Sequence, residues 1–229
     1  MRDYMKNIVN KFLIVVETIK IKIRRKYILI TAKKRSLLLR KKKFTIISNN
    51  CWGGFVYQSY NLPYQTPTIG MFFMAKDYIK FITNIHKYLA IDKFEEVAPE
   101  NSKWYQLLCN KPNFGRYPIA KLDDIELHLL HYSSVDEAEK KWNQRKKRID
   151  FSNIIFKFSE MNDCEESDIV DFQNINYKNK ICFISANYEN IKNDYTIVVS
   201  RKVNNGLKSS CEPIGNSKKI NINDFINGL

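Results

Sequence analysis

The stretch FTIISNNCWGG, residues 44–54, decides the fold. Five residues with strand character are followed by polar residues, a cysteine, a tryptophan and two adjacent glycines, in a chain that has only seven glycines. This pattern predicts a buried strand over 44–48, a tight turn, and a short helix around Gly54–Tyr60. Because ligands of open α/β sheets bind outside the carboxyl ends of the strands, the turn is a candidate ligand site.

Strands and helices alternate along the rest of the chain. The predicted elements are strands at 68–74, 117–122, 125–132, 153–159, 180–186 and 194–200, and helices at 76–90, 135–149, 165–173 and the C-terminal INDFING segment. The strand at 68–74 is predicted to lie beside the one at 44–48, and the pair joined by Asp123-Asp124 is predicted to be antiparallel. The whole pattern predicts an α/β fold, with a mostly parallel sheet, helices on both faces and some antiparallel strands.

The basic residues are concentrated at the N-terminus. Residues 1–43 hold fifteen of the 38 lysines and arginines and only two acids, whereas residues 44–229 are almost neutral. Apolar residues recur at helical spacing over 8–19, which predicts a basic amphipathic helical arm ahead of an α/β domain at 44–229. The arm has no cleavage site of a secretion signal, and no segment has the roughly 20 apolar residues that span a membrane.

This arm has three interpretations, which differ in the partner that it would bind. An anionic membrane surface is the first, because a basic amphipathic helix lies well in such an interface. A solvated leader without a partner is the second. Nucleic acid as the partner is the third and ranks last, because the arm has no base-reading motif and the body has no basic excess.

Cysteine and histidine spacing excludes two classes of protein. Five cysteines, an odd number with no CxxC pair, indicate reduced thiols in a cytoplasmic protein rather than a disulfide framework. No HxH, HxxxH or HExxH motif is present, so no metal site is predicted.

The SNNCWGG turn supplies most of the candidate site residues. Gly53 and Gly54 would leave backbone N–H groups open to a ligand, and the helix N-terminus would attract an anion and lower the pKa of the Cys51 thiol. Cys51 is therefore a candidate nucleophile, and Asn50, Trp52, Gly53 and Gly54 are candidate ligand-binding residues. In the alternative interpretation, Cys51 is a small buried residue and the glycines only allow Trp52 to pack.

Further candidates come from the strand at 125–132 and the helix that follows it. His128 and His131 are three residues apart and face opposite sides of the sheet, so only one can share a cleft with Cys51. His131, at the carboxyl end, is the candidate catalytic partner. Arg145 and Arg148 are candidates for bidentate contacts to carboxylate or phosphate. The alternatives are a structural histidine and a solvated basic helix end that the helix dipole favours.

Several segments together resemble the bacterial DUF1919 family. They are FTIISNNCWGGFVYQ (44–58), TPTIGMFF (66–73), KDYIKF (76–81), YPIAKLDDIELHLLHY (117–132) and DEAEKKWNQRKKRI (136–149), and the likeness covers residues 44–200. The resemblance implies a role in exopolysaccharide or capsule biosynthesis. Ala120 stands where that family commonly has glycine. The turn is also similar to the GNCQ turn of a capsule-cluster family that binds coenzyme A, which implies coenzyme A as a candidate cofactor. A nucleotide sugar is the other candidate, and the sequence does not select between them.

We therefore expect a cell-envelope polysaccharide biosynthesis protein, a transferase that acts on an activated sugar or acyl group. The alternative is a non-catalytic binding or scaffold protein for a nucleotide-like or sugar-phosphate ligand at the membrane surface. The expected location is the cytoplasm, peripheral on the inner face of the cell membrane through residues 1–43.

Overall fold

The computed structural model describes residue 23 and residues 26–201, 206–215 and 217–229. The helix predicted over residues 8–19 lies outside the described residues. Among the described residues, no helix is long and apolar enough to cross a membrane.

A four-stranded parallel sheet forms the centre of the protein. Its strands are β1 (Thr45–Ser48), β5 (Ile154–Ser159), β6 (Lys180–Ser185) and β7 (Thr196–Ser200), in the order β1-β5-β6-β7. Neighbouring strands are parallel throughout, and Ile47 of β1 pairs with Phe156 of β5. The predicted α/β class and the predicted strand at 44–48 are confirmed.

A second, antiparallel sheet lies between β1 and β5 in the chain. It consists of β2 (Glu95–Val97), β3 (Ile119–Leu122) and β4 (Ile125–His128), in the order β2-β3-β4. The turn residue Asp123 has a φ of 58°, a left-handed conformation that asparagine and aspartate tolerate. The antiparallel β3–β4 pairing agrees with its prediction. The sequence analysis missed β2, because its EEV residues lack apolar alternation.

The prediction that residues 68–74 form a strand beside β1 is wrong, because the neighbour of β1 in the sheet is β5. Within this segment only Phe72 makes a bridge, to His128, and the Phe73 N–H donates to the Asn49 carbonyl at 3.0 Å. Gly70 has a φ of +76°, which turns the chain out of the extended conformation in the middle of the apolar run. The segment is therefore an irregular connection between the two sheets.

The helices cover both faces of the parallel sheet. They are α1 (described over residues 26–30), α2 (Ala32–Ser36), α3 (Trp52–Ser59), α4 (Ala75–Thr83), α5 (Ile85–Leu89), α6 (Tyr105–Leu108), α7 (Val135–Lys146), α8 (Glu166–Asn174) and α9 (Ile222–Asn227). The helix predicted at 76–90 is divided at Asn84, where ψ is 37°. Ser134 caps the start of α7, since its hydroxyl accepts the Glu137 N–H at 3.1 Å.

Two apolar cores lie on the two sides of the parallel sheet. Alternate strand residues such as Ile47 and Phe158 pack with α4, α7, α8 and the antiparallel sheet. Their neighbours, such as Ile46 and Phe183, pack with α3 and α9. This period of two is the pattern expected of a sheet that is covered on both faces.

The end of the basic N-terminal segment contacts the body. Leu39 is buried in the core that contains α3 and α9. The guanidinium of Arg35 donates to the Ser59 carbonyl at 2.6 Å and to the Thr31 hydroxyl at 2.8 Å. The division of the chain at residue 43 stays a prediction.

Candidate functional site

The SNNCWGG turn connects the carboxyl end of β1 to α3, the place that its sequence predicts. The Asn50 side-chain oxygen accepts the Trp52 N–H at 3.1 Å, and the Ser48 hydroxyl accepts the Gly53 N–H at 3.3 Å. The same hydroxyl donates to the Asn50 carbonyl at 2.7 Å. Side chains of the turn itself therefore already bind two N–H groups at the start of α3.

The two glycines and the tryptophan of the turn face the protein interior. A Cβ atom on Gly53 would lie 3.1 Å from both Ile46 Cγ2 and Ser48 Oγ, and one on Gly54 would lie 3.4 Å from Ile69 Cδ1. The Trp52 side chain is buried and donates from Nε1 to the Pro213 carbonyl at 2.8 Å. Gly53 thus lets α3 pack closely on β1, so the structure favours the packing interpretation for these three residues.

A buried polar cluster lies beneath the turn and includes Asn50. The ammonium of Lys157 on β5 pairs with the carboxylate of Glu212 and donates to the Asn50 side-chain oxygen at 2.9 Å. The Asn50 amide donates to the same Glu212 oxygen at 2.9 Å, and the Ser159 hydroxyl also donates to it. Asn50, Lys157, Ser159 and Glu212 will be called the lysine cluster.

Two opposing effects act on the pKa of Lys157 in the lysine cluster. Burial lowers the pKa of Lys157, and the neighbouring Glu212 carboxylate acts in the opposite direction. The ammonium also lies 5.7 Å from the Trp52 ring centroid and 5.4 Å from that of Phe183. The cluster holds the Asn50 side chain in place and connects the segment around Glu212 to β5.

Sequence analysis missed Lys157 and Glu212 for different reasons. A lysine inside the otherwise apolar strand IIFKFS is a visible signal, because an unpaired charge would not be buried there. Glu212 stands in a loop with no periodic pattern, and it is 55 residues from its partner. Only the fold could identify the pair.

Tyr132, which is not among the predicted site residues, is close to both Arg145 and Cys51. Arg145 donates to the Tyr132 hydroxyl at 2.8 Å, and that hydroxyl donates to the Ile69 carbonyl at 2.6 Å. Burial raises the pKa of Tyr132, Arg145 lowers it, and Cys51 is close enough to contribute a smaller electrostatic effect. The Arg145 guanidinium also stacks 5.2 Å from the Tyr64 ring centroid. Cys51, Tyr64, Tyr132 and Arg145 will be called the arginine cluster.

The other predicted site residues lie around the arginine cluster. The backbone N–H of His131 donates to the Gly70 carbonyl at 2.9 Å, and its side chain is exposed. A Cβ on Gly70 would lie 3.1 Å from the Tyr132 ring and 3.4 Å from His131 Cβ, so these three residues are in contact. Arg148 is exposed and donates to the Tyr64 carbonyl at 3.2 Å. The structure thus places His131, Arg145 and Arg148 beside the two tyrosines, and Cys51 within electrostatic range of Tyr132.

A cleft of about 430 Å³ opens near the same edge of the sheet. It meets the turn through Met161, whose sulfur accepts from the Asn50 amide at 3.2 Å. At its floor, Asn162 and Asp163 both have left-handed backbones, with φ values of 59° and 62°. Its lining is mostly apolar and consists of Phe72, Met74, Leu107, Leu108, Lys111, Pro112, Asn113, Phe114, Tyr117, Leu130, Met161, Asn162, Asp163 and Leu207. Cys51, Trp52, Gly53 and Gly54, the candidate site residues of the turn, do not belong to this lining.

His128 lies behind this cleft, in the core. Its ring is fully buried, stacks on Phe72 at 4.5 Å, and has no hydrogen-bond partner among the described residues. Burial, and secondarily the charge of Lys103, lowers its pKa to about 3. The ring is therefore neutral in the folded protein. Among the described residues, no group of three or more metal-ligating side chains comes together.

Comparison with known proteins shows the family. An uncharacterized protein of Haemophilus influenzae (strain ATCC 51907 / DSM 11121 / KW20 / Rd) is 30% identical over 166 residues, which is 72% of this chain and 73% of that protein. The model of the domain of unknown function DUF1919 matches residues 21–227, a range that includes the turn, both clusters and the cleft. The chain therefore belongs to the DUF1919 family.

Proposed function

We propose that this chain is a cell-envelope polysaccharide biosynthesis protein that binds an activated, anionic donor at the arginine cluster. The donor is a sugar or acyl group that carries a phosphate, a nucleotide or coenzyme A. The polysaccharide setting comes from the family resemblance of the sequence. The ligand class comes from the arginine cluster, and the placement of Arg145 is the observation on which the proposal depends.

Arg145 is held in position with donors to spare. Its guanidinium makes one hydrogen bond among the described residues, to Tyr132, and it is oriented by stacking on Tyr64. A guanidinium has five N–H donors, and a fixed planar fork suits a phosphate or carboxylate. Because the residue is only half-buried, an anion can reach the remaining donors. A flexible, fully solvated arginine would not hold its guanidinium in a fixed orientation towards an anion.

In the proposal, the cleft is assigned to the rest of the donor. Its volume of about 430 Å³ is within the range of small-molecule sites. Lys111, Asn113, Asn162 and Asp163 are the polar residues of a lining that is otherwise apolar and aromatic. Aromatic walls suit the face of a sugar or a nucleobase, and a few polar groups set its orientation.

The catalytic form of this proposal uses Cys51 as a nucleophile and His131 as its base. Cys51 is half-buried at the start of an eight-residue helix and adjoins Tyr132. An acyl donor bound to Arg145 would thus have a thiol nearby. The binding-module form needs no reactive thiol and is favoured by the internal hydrogen bonds that stabilise the turn.

The proposed location is the cytoplasmic face of the cell membrane, where activated donors for envelope polymers would be available. The odd number of cysteines without a CxxC pair predicts reduced thiols, which agrees with a cytoplasmic site. The fifteen lysines and arginines of residues 1–43 would be the attachment to anionic lipid.

A binding experiment with matched variants tests the ligand proposal. Wild-type protein is screened by calorimetry and thermal shift with a nucleotide sugar, a sugar phosphate, coenzyme A and a polyprenyl phosphate analogue. At least one should raise the melting temperature, because a ligand that binds only the folded state stabilises it. Arg145→Gln should weaken that ligand by about tenfold to a hundredfold, since it removes a charge-assisted contact.

The control for this experiment is Arg40→Gln. Arg40 is exposed, and its backbone contacts Asn227 of α9. The Arg40→Gln variant removes the same charge outside the arginine cluster, so ligand affinity should not change. Equal losses in the two variants would show a general charge effect, and failure of all four ligands to bind would contradict the proposal.

A further inference from the structure

The helical segment of residues 26–38 has two opposite sides, and one of them faces the body. Ala32 and Leu39 are buried and Ile28 is half-buried, while Arg35 bonds to the Ser59 carbonyl at the end of α3. Positions 28, 32, 35 and 39 recur at helical spacing, so they form one stripe. This stripe accounts for how the segment is attached to the protein.

The opposite side is also apolar, yet it is open to solvent. Ile23, Tyr27, Ile30 and Leu37 recur at the same spacing on the far side of the helix, and Leu38 is next to them. Leu37 is 80% exposed and Ile30 is 71% exposed. These five side chains include most of the large apolar residues that are more than half exposed among the described residues. Nothing in the body of the protein requires them.

The charge around this apolar stripe has a single sign. Residues 26–43 contain eight lysines and arginines and no acidic residue. Lys26, Lys33 and Lys34 are all exposed beside the stripe. A purely cationic rim around aliphatic side chains is complementary to an anionic surface with an apolar interior.

We propose that this surface docks the protein on an anionic lipid bilayer. The docking surface consists of Ile23, Tyr27, Ile30, Leu37 and Leu38 with the rim of Lys26, Lys33 and Lys34. It rests on the proposed function only for the presence of the membrane. Aliphatic residues enter the acyl boundary, tyrosine favours the headgroup level, and lysine stems extend to the phosphates. An acidic protein partner would require hydrogen-bonding groups between the charges, and the stripe offers mainly leucine and isoleucine.

Docking by this surface would also fix the distance of the candidate site from the membrane. Arg35 attaches the docking surface to the last residue of α3, and Cys51 lies at the first turn of that helix. An eight-residue helix is about 12 Å long. A lipid-linked or membrane-delivered donor would therefore meet the arginine cluster close to the headgroup layer.

Vesicle co-sedimentation of the full chain tests this proposal. The vesicles are either pure phosphatidylcholine or a mixture with phosphatidylglycerol. The double variant Leu37→Ser/Leu38→Ser should reduce binding to the anionic vesicles by about tenfold or more, because two exposed apolar side chains no longer enter the bilayer. Both leucines are exposed, so melting temperature and circular dichroism should match the wild type.

The matched control is Phe151→Ser. Phe151 is 46% exposed, stacks on His86 and is not part of the docking surface. Its replacement removes an exposed apolar side chain elsewhere and should leave vesicle binding unchanged. Binding of the wild type should also weaken as salt rises towards 1 M, where screening shortens the Debye length to about 3 Å.

Three results would overturn the docking surface. They are equal binding to neutral and anionic vesicles, wild-type binding by the Leu37→Ser/Leu38→Ser variant, and a self-association of the wild type that this variant abolishes without any effect on vesicles. The variant should keep its affinity for the donor that the ligand screen identifies, and Arg145→Gln should keep its vesicle binding. A failure of the ligand proposal and a failure of the docking surface are therefore separable.

Discussion

Two cations, one on β5 and one in the last turn of α7, differ in what surrounds them. Lys157, in the lysine cluster, is fully buried and bound by a carboxylate and an amide oxygen. Arg145, in the arginine cluster, is half-buried, stacked on one tyrosine and bound to another, with donors left over. A charge that is fully buried and paired with a carboxylate is out of reach of a ligand and supports the fold. A charge that is held in place with open donors can support the fold and still bind a ligand.

The comparison teaches where to look for function in this molecule. The side chain of Asn50 belongs to the lysine cluster, whereas the neighbouring Cys51 thiol lies within electrostatic range of both Lys157 and Tyr132. The turn therefore adjoins both a structural cation and a candidate functional group. The predictions below test this difference between the two clusters, beginning with the largest expected effect.

Glu212→Gln should be the most destabilising change. It leaves the buried ammonium of Lys157 without its counter-charge, and breaking a buried pair in this way costs about 3–5 kcal/mol. Urea denaturation measures the free energy of unfolding. Glu95→Gln, which breaks the exposed pair with Lys121, should cost less than about 1 kcal/mol.

A double variant sharpens the same point. In Lys157→Met/Glu212→Leu the pair is replaced by apolar side chains, and most of the lost stability should return. If the single variant were as stable as the wild type, the lysine cluster would not have the supporting role assigned to it.

His128 should make the stability depend on pH. Its pKa is about 3 in the folded protein and about 6.5 in an unfolded chain, so below pH 6.5 only the unfolded state binds the proton. Stability is complete above pH 6.5 and is lost as the pH falls from 6.5 towards 3. Between pH 7 and pH 5 the free energy of unfolding should drop by about 2 kcal/mol from this residue. His128→Phe, measured over the same pH series, should remove that part of the dependence, and an unchanged slope would be evidence against it.

The adjacent glycines should respond differently to alanine. Each replacement gains about 1 kcal/mol of helix propensity. In Gly53→Ala the new Cβ meets Ile46 and Ser48 at 3.1 Å, whereas in Gly54→Ala it meets Ile69 at 3.4 Å, an ordinary contact. Gly54→Ala should therefore be more stable than Gly53→Ala by about 1 kcal/mol or more. Thermal unfolding of the two variants side by side measures the difference, and the reverse order would contradict close packing at Gly53.

Cys51 should show the smallest effect, on chemical reactivity alone. In the folded protein it should react with iodoacetamide below pH 8, whereas Cys182, whose pKa burial raises to about 12, should stay protected. Exposed Cys109 serves as the internal control, and mass spectrometry assigns each adduct. If Cys51 is inert while a ligand still binds, the nucleophile hypothesis is eliminated and the binding-module form remains.

Local patterns predicted much of the molecule. Strand β1, the SNNCWGG turn, helix α3, the capped helix α7 and the antiparallel β3–β4 pair all follow from the spacing of apolar and turn residues over a few positions. The candidate residues Cys51, His131, Arg145 and Arg148 were selected for their chemistry and their places on those elements. Such information is local, so the amino-acid sequence by itself determined it.

The rest depended on contacts between distant residues. An apolar run such as 68–74 suits a strand or a buried connection equally well, and the positive φ of Gly70 together with the pairing of β1 with β5 selected the connection. Lys157 and Glu212 meet across 55 residues, and Tyr132 joins Arg145 to the Ile69 carbonyl across 63. Whether a charged side chain ends up saturated or open depends on which distant groups surround it. Burial and pairing of that kind are properties of the packed chain, and only the tertiary structure could decide them.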